Sequence, residues 1–294
     1  MSNPVCAVIG VGPGNGTAIA RKFSSEGYKI ALLSRNEDYL NELAHECGDA
    51  RAYAYDALDT TAPEKVFGKI KQELGSVDVL VYNAGSGMFG SVDTINLSDF
   101  EGAWRINALG LLAAVKAVLP DMLAAGKGNI VVIGATASVK HGANFTAFTS
   151  AKAAQRALAQ SIAKHVGPGG LHVSLVIIDG VIDIARTRQM MPDKGDEFFL
   201  KPDDIAQSVF FLTQQPKSAW TFELDARSFG EEMVAPRCHW GAANFARNCL
   251  TATQFSSVPS GFWSSRRVED PWTPAICGTN RIFSTEGEAS KKWI

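Results

Sequence analysis

Three features are missing from this sequence, and each absence closes off a class of function. Among 294 residues there are five cysteines, with neither disulfide-framework spacing nor a C-x-x-C pair. Cys6 lies in an apolar run and Cys47 beside an expected helix end, so they read as incidental thiols. Charge of one sign is missing too. The formal net charge is −2, so no basic field points to nucleic acid or an anionic membrane. No apolar run approaches the ~20 residues of a membrane span, and no basic segment leads an apolar signal core. The expectation is a cytoplasmic protein with a small-molecule substrate and no nucleic-acid or membrane partner.

What is present is patterned. With 46% apolar and 20% charged residues the chain can bury a sizeable α/β core. Its organising stretch runs from Val5 to Gly16: an apolar strand-length run enters Gly10, Gly14, Asn15 and Gly16, and then Thr17-Ala18-Ile19-Ala20-Arg21-Lys22-Phe23 follows at helical spacing. Strand, tight turn and helix N-terminus together form an anion site, with glycines that let a pyrophosphate approach the backbone. A dinucleotide is the expected occupant.

The rest of the chain repeats the alternation. Lys29-Ile30-Ala31-Leu32-Leu33 ends at Ser34-Arg35, and Arg35 stands where a 2′-phosphate would be paired, favouring NADP(H) over NAD(H). A third strand, Arg51 to Asp56, brings Asp56 to the carboxyl edge to meet the adenine. Val77 to Tyr82 ends in Asn83-Ala84-Gly85. A long apolar stretch from Asp99 to Ala125, interrupted by Pro120, contains Asn107, which needs a hydrogen-bond partner if buried. Strand 130–133, loop 134–144, helix 147–166 and strand 173–178 follow. The polar segment 183–201 reads as a mobile lid, Pro202 opens the last core helix, and Trp220 to Leu224 makes a seventh strand. Alternating strands and helices argue for a parallel sheet with helices on both faces.

From about residue 4 to 232 the chain resembles the short-chain dehydrogenase/reductase family. The resemblance rests on Gly10-x-x-x-Gly14-x-Gly16, Asp56, Asn83-Ala84-Gly85, Asn107 and Lys152, in family order. It implies a single α/β domain at 1–232 with a Rossmann-type, doubly wound parallel sheet of about seven strands. It further implies a nicotinamide cofactor across the carboxyl edge, with Asn83 to Gly85 lining it and Lys152 holding the nicotinamide ribose. Lys152 and Asn107 are the implied catalytic-site residues, and no metal is implied. Helices at 99–125 and 147–166 would pair about a two-fold axis, giving a homodimer or homotetramer.

Two hydroxyls of the family pattern are absent. Phe148-Thr149-Ser150-Ala151-Lys152 puts phenylalanine where the family keeps its proton-donating tyrosine, and Ala135 falls where a serine would polarise the carbonyl. After the sixth strand, Asp179-Gly180 replaces a proline-glycine, and Ile184 stands for a threonine. Thr136, Ser138, Ser150, His141 and Lys152 are the alternatives for handling the proton; of the side chains near the loop, His141 alone has a suitable ordinary pKa. The resemblance therefore implies an NADP(H)-dependent carbonyl/alcohol oxidoreductase with a degenerate proton-donor site, or an NADP(H)-binding sensor or scaffold without turnover.

Residues 233–294 change character. They hold three of the five cysteines, four of the six tryptophans and prolines at 236, 259, 271 and 274. Basic residues outnumber acidic ones seven to four there, against 21 to 26 in the preceding residues. This reads as an atypical extension with no recognisable domain.

Overall fold

A computed structural model describes residues 3–230; the extension expected at 233–294 lies outside the described residues. The apolar runs become strands: β1 Val5–Ile9, β2 Lys29–Ser34, β3 Ala50–Ala54, β4 Val77–Tyr82, β5 Gly128–Ala135 and β6 Leu171–Asp179. Between them lie α1 Asn15–Ser25, α2 Glu37–Cys47, α3 Ala62–Glu73, α4 Leu97–Trp104, α5 Gly110–Ala125 and α6 Thr146–Val166. The chain continues through a short strand β7 Val181–Ile182, α7 Ala185–Met190, β8 Phe199–Leu200, α8 Pro202–Thr213 and β9 Glu223–Arg227.

Seven strands form one parallel sheet in the order β3-β2-β1-β4-β5-β6-β9. The expected doubly wound sheet is therefore observed. Both faces are covered, which is why every residue of β1 and β6 is buried rather than every second one. On one face Phe67 and Ile70 of α3, Leu111, Val115 and Met122 of α5, and Ala159 of α6 pack on the sheet. On the other, Ile19 and Phe23 of α1, Leu40 of α2, and Ile205 and Val209 of α8 do the same. Strand order reverses between β1 and β4, so a crevice opens outside their carboxyl ends, where such sheets bind ligands.

Several boundaries differ from expectation, for physical reasons. The seventh strand begins at Glu223 rather than Trp220, because Trp220 turns aside to stack on His172, with ring centroids 4.9 Å apart and planes 3° apart. β3 stops before Asp56; Tyr55 N still donates to Ser34 O at 2.9 Å, but Asp56 turns to accept from Leu58 N at 3.0 Å. Pro120 does not interrupt α5. The carbonyl it leaves unpaired, that of Lys116, lies on the exposed side where water can serve it. The polar segment 183–201 carries structure of its own: β7 pairs with β8, and the Arg188 guanidinium in α7 bonds both carboxylate oxygens of Asp183 at 2.6 and 2.7 Å and Asp196 at 2.8 Å.

The helix across Leu97–Ala125 is continuous, and one window of it has mean hydropathy 1.7, long and apolar enough for a membrane span. That corrects the expectation that no run comes near. Its buried stripe packs on β4 and β5 as core. In its middle, Arg105–Leu109 forms a π-helical turn in which Gly110 N reaches back five residues to Arg105 O. The Tyr82 hydroxyl, at the end of β4, donates to the Ile106 carbonyl in that turn. Gly110 is required there, since a Cβ would sit 2.5 Å from that hydroxyl oxygen.

Candidate active site

The glycine turn after β1 is built by close approaches. Gly10 has φ +86°, and a Cβ there would lie 2.5 Å from Ala84 N, so the turn and the Asn83-Ala84-Gly85 segment touch backbone to backbone. Asn83 fixes the contact: its Nδ2 donates to Gly10 O at 2.8 Å and its N to Ile9 O at 2.9 Å. Gly16 lets α1 lie against the turn, with a Cβ position 2.7 Å from Gly10 O. Gly14, at φ +116°, faces Ile184, whose Cγ2 would be 2.9 Å from a Cβ. The N-terminus of α1, bearing Asn15, points its free N–H groups and positive dipole end into the crevice.

Two cavities open along this edge. The smaller, about 250 Å³, is walled by Gly10, Ser34, Arg35, Asp56, Asn83, Ala84 and Gly85 among others. Seven of the expected cofactor residues are thus brought together from the ends of β1, β2, β3 and β4. Arg35 is exposed and has no ion pair among the described residues, while the Ser34 hydroxyl beside it is buried without a partner.

The larger cavity, about 620 Å³, collects Asn15, Asn83, Ala135, Thr136, His141, Phe148 and Lys152. Lys152 is buried, and its Nζ donates to Ile133 O and Gln155 Oε1, both at 3.0 Å. Burial without a carboxylate partner pushes its pKa down to about 8. Asn107 lies just outside the wall, fully buried on the π-helical turn, with its Nδ2 donating to Ala103 O at 2.9 Å. Its Oδ1 has no partner and faces Gly85; a Cβ there would lie 3.4 Å from that oxygen and 3.5 Å from Lys152 Nζ. The lysine and the asparagine therefore converge beside Gly85, which lines the smaller cavity.

The proposed substitute donors separate clearly. Ser138 turns its hydroxyl back to Ala135 O at 2.8 Å, and Ser150 to Thr146 O at 2.8 Å, and neither lines the cavity. Thr136 does line it, but its hydroxyl is engaged by Asp179 Oδ1 at 2.5 Å and Ile178 O at 3.1 Å, while Asp179 is paired with Arg227 Nε at 3.0 Å. His141 is an exposed member of the wall. The sequence reading missed Thr149, whose hydroxyl is buried on this cavity without a partner. It also missed Lys140, Gln155 and the rings of Phe145 and Phe89. Thr149 had a signal: it directly follows Phe148 on a helix whose Lys152 was already singled out.

Relatives share this architecture. An uncharacterized oxidoreductase of Staphylococcus aureus (strain MRSA252) is 28% identical over 230 residues, 77% of this chain and 98% of the relative. The alcohol dehydrogenase of the archaeon Thermococcus sibiricus, solved in complex with 5-hydroxy-NADP, matches with TM-score 0.70 at 28% identity, over 78% of this chain and 97% of that one. A metagenomic short-chain oxidoreductase in complex with NADP matches with TM-score 0.67 at 28% identity, over 77% and 98%. The glycine turn, the switch-point crevice and Lys152 on the helix after β5 all fall within or beside the residues that carry this likeness. Residues 4–194 match the short chain dehydrogenase family, and the chain belongs to it.

Proposed function

We propose that the protein is an NADP(H)-dependent oxidoreductase interconverting a carbonyl compound and its alcohol, with proton handling that does not use a tyrosine. The observation that carries this reading is the convergence of Lys152 Nζ, on the larger cavity, and Asn107 Oδ1 beside Gly85, which lines the smaller one. Polar atoms left without partners mark where a cofactor would fit: Ser34 Oγ on one cavity, Asn15 Oδ1 on the other, with the Gly10 turn between them too tight for any side chain. The relatives solved with 5-hydroxy-NADP and NADP support the same choice.

In this reading the α1 N-terminus and the glycine turn take the pyrophosphate, Arg35 and Ser34 the 2′-phosphate, Asp56 the adenine, and Lys152 the nicotinamide ribose. Bound NADPH supplies the hydride. Phe148 and Ala135 offer no hydroxyl to the substrate oxygen; Thr149 lines the same cavity with an unpaired hydroxyl that, on rotating outward, would orient that oxygen. Lys152, its pKa lowered by burial to about 8, delivers the proton directly or through one water, and exchanges it with solvent afterwards.

A second reading, an NADP(H)-binding protein without turnover, is favoured by Phe148 and Ala135 themselves. Binding does not separate the two. Single-turnover oxidation of bound NADPH across a panel of carbonyl compounds does. Oxidation that Lys152→Ala slows by at least ~10²-fold, the low end for a lost general acid, supports the enzyme. No oxidation with any compound supports the binding protein.

A further inference from the structure

The wall of the larger cavity facing away from the glycine turn is aromatic. Phe145, just before α6, and Phe148, in its first turn, both line the cavity. Phe89, from the segment after β4, meets them edge to face, with centroids 5.3 Å from Phe145 and 5.6 Å from Phe148. These rings are not core: Phe89 is 57% and Phe145 42% exposed. Apolar rings held in water at a cavity mouth are costly unless a ligand covers them.

Their placement is fixed by backbone. Gly90 N donates to Asn144 O at 2.8 Å and Thr146 N to Gly90 O at 3.1 Å, joining the two segments that carry the rings. Gly142 permits the Phe145 ring its position, since a Cβ there would sit 2.8 Å from Cδ2. Charge adds a second constraint. The ionisable residues on this cavity are Lys140, His141 and Lys152, with no carboxylate among the lining residues.

We propose that this wall selects the substrate: a flat aryl aldehyde or ketone, neutral or negatively charged, with its ring against Phe145 and Phe148. The proposal rests on the carbonyl reading above and names the substrate class for that site. Aromatic partners gain from edge-to-face and offset contacts that a saturated ring of equal size does not make. A polyhydroxylated substrate would leave hydroxyls unpaired against the rings. A cationic one would meet two lysines and no counter-charge. Phe148 has a part in this: by the family resemblance it stands where a hydroxyl is usual, and without that hydroxyl the aromatic wall reaches toward Lys152.

The test is calorimetric titration of the full chain at saturating NADP+, with which a ketone exchanges no hydride. Acetophenone and cyclohexyl methyl ketone have equal numbers of heavy atoms and differ in the flat ring. Acetophenone should bind about three- to tenfold more tightly, the worth of one aromatic pair. Phe145→Leu and Phe89→Leu keep apolar bulk and should bring the ratio toward one, with NADP+ affinity unchanged. The carboxylate 4-acetylbenzoate should bind at least as tightly as acetophenone. Equal affinities in the parent, a ratio unmoved in both leucine variants, or no binding of any of the three ketones overturns the proposal. Acetophenone binding without NADPH oxidation would instead sink the carbonyl reading and leave the wall intact; turnover of aliphatic and aryl ketones at equal efficiency would sink the wall alone.

Discussion

The two cavities on the carboxyl edge of the sheet differ in what they hold constant. The smaller is walled by backbone and fixed charge: Gly10 in close contact with Asn83 and Ala84, with Arg35 and Asp56 beyond the ends of their strands. The larger is lined by side chains, and at 135 and 148 these are an alanine and a phenylalanine that carry no hydroxyl. Steric cost accounts for the asymmetry. Any side chain at Gly10 would collide with Ala84 N at 2.5 Å, so change there disrupts the fold itself. Phenylalanine and tyrosine share one ring shape, so an exchange between them at 148 leaves the ring's packing in place. On the proposed reading, cofactor holding and proton handling are separable on this scaffold.

That separation can be broken or sharpened by experiment. The largest effect is expected in the smaller cavity. Arg35→Asp should weaken NADPH binding about ten- to a hundredfold, the worth of one charge-assisted contact, while NADH binding changes little. Equal losses for both cofactors, measured by fluorescence titration, would remove Arg35 from the 2′-phosphate. Next comes the larger cavity. The double variant Phe148→Tyr with Ala135→Ser restores both hydroxyls on the wall, beside a lysine that would lower the phenol pKa. Turnover of a simple carbonyl at saturating NADPH should rise at least ~10-fold; normal NADPH binding with an unchanged rate would mean the cavity is shaped for different chemistry.

The smallest effect concerns the floor between them. Burial holds the folded-state pKa of Lys152 at about 8, below the ~10.4 of an unfolded chain. Under pH 8 the lysine is charged in both states and its burial cost is fully present. As pH rises from 8 toward ~10.4 the folded protein releases the proton while the unfolded chain keeps it, so this site's contribution to stability increases. Urea unfolding of the parent and Lys152→Met should therefore show the parent gaining about 1 kcal/mol on the variant between pH 8 and pH 9. A constant difference would mean that the ammonium is solvated or paired.

The sheet was readable because it is covered on both faces. Strands such as Val5–Ile9 and Val77–Tyr82 are apolar runs bounded by turn residues, and the glycines at 10, 14 and 16 announce the crevice they form. The edge strand β9 was harder. Three of the five residues in its sequence ELDAR are charged, and its position is set by pairing with β6 and by Trp220 turning to His172, neither visible in a local window. The same limit hid the aromatic wall. Phe89 and Phe145 are 56 positions apart, and the backbone bonds of Gly90 to Asn144 and Thr146 bring them together. Thr149 was visible as a residue but not as an unpaired hydroxyl, which depends on which α6 face meets the cavity.

The π-helical turn at Arg105–Leu109 holds one residue more than a regular turn needs. At about 100° of rotation per residue, that single residue sets the phase between the two ends of one helix. α4 offers Ala103 to the small residues Ala147 and Ala151 of α6, while α5 offers Leu111 and Val115 to the sheet. Between them Asn107 faces Gly85. The turn therefore works as a phase shifter: removing one residue from it would yield a straighter, more regular helix whose two halves no longer address their separate neighbours. Regularity at that point is incompatible with the position of Asn107.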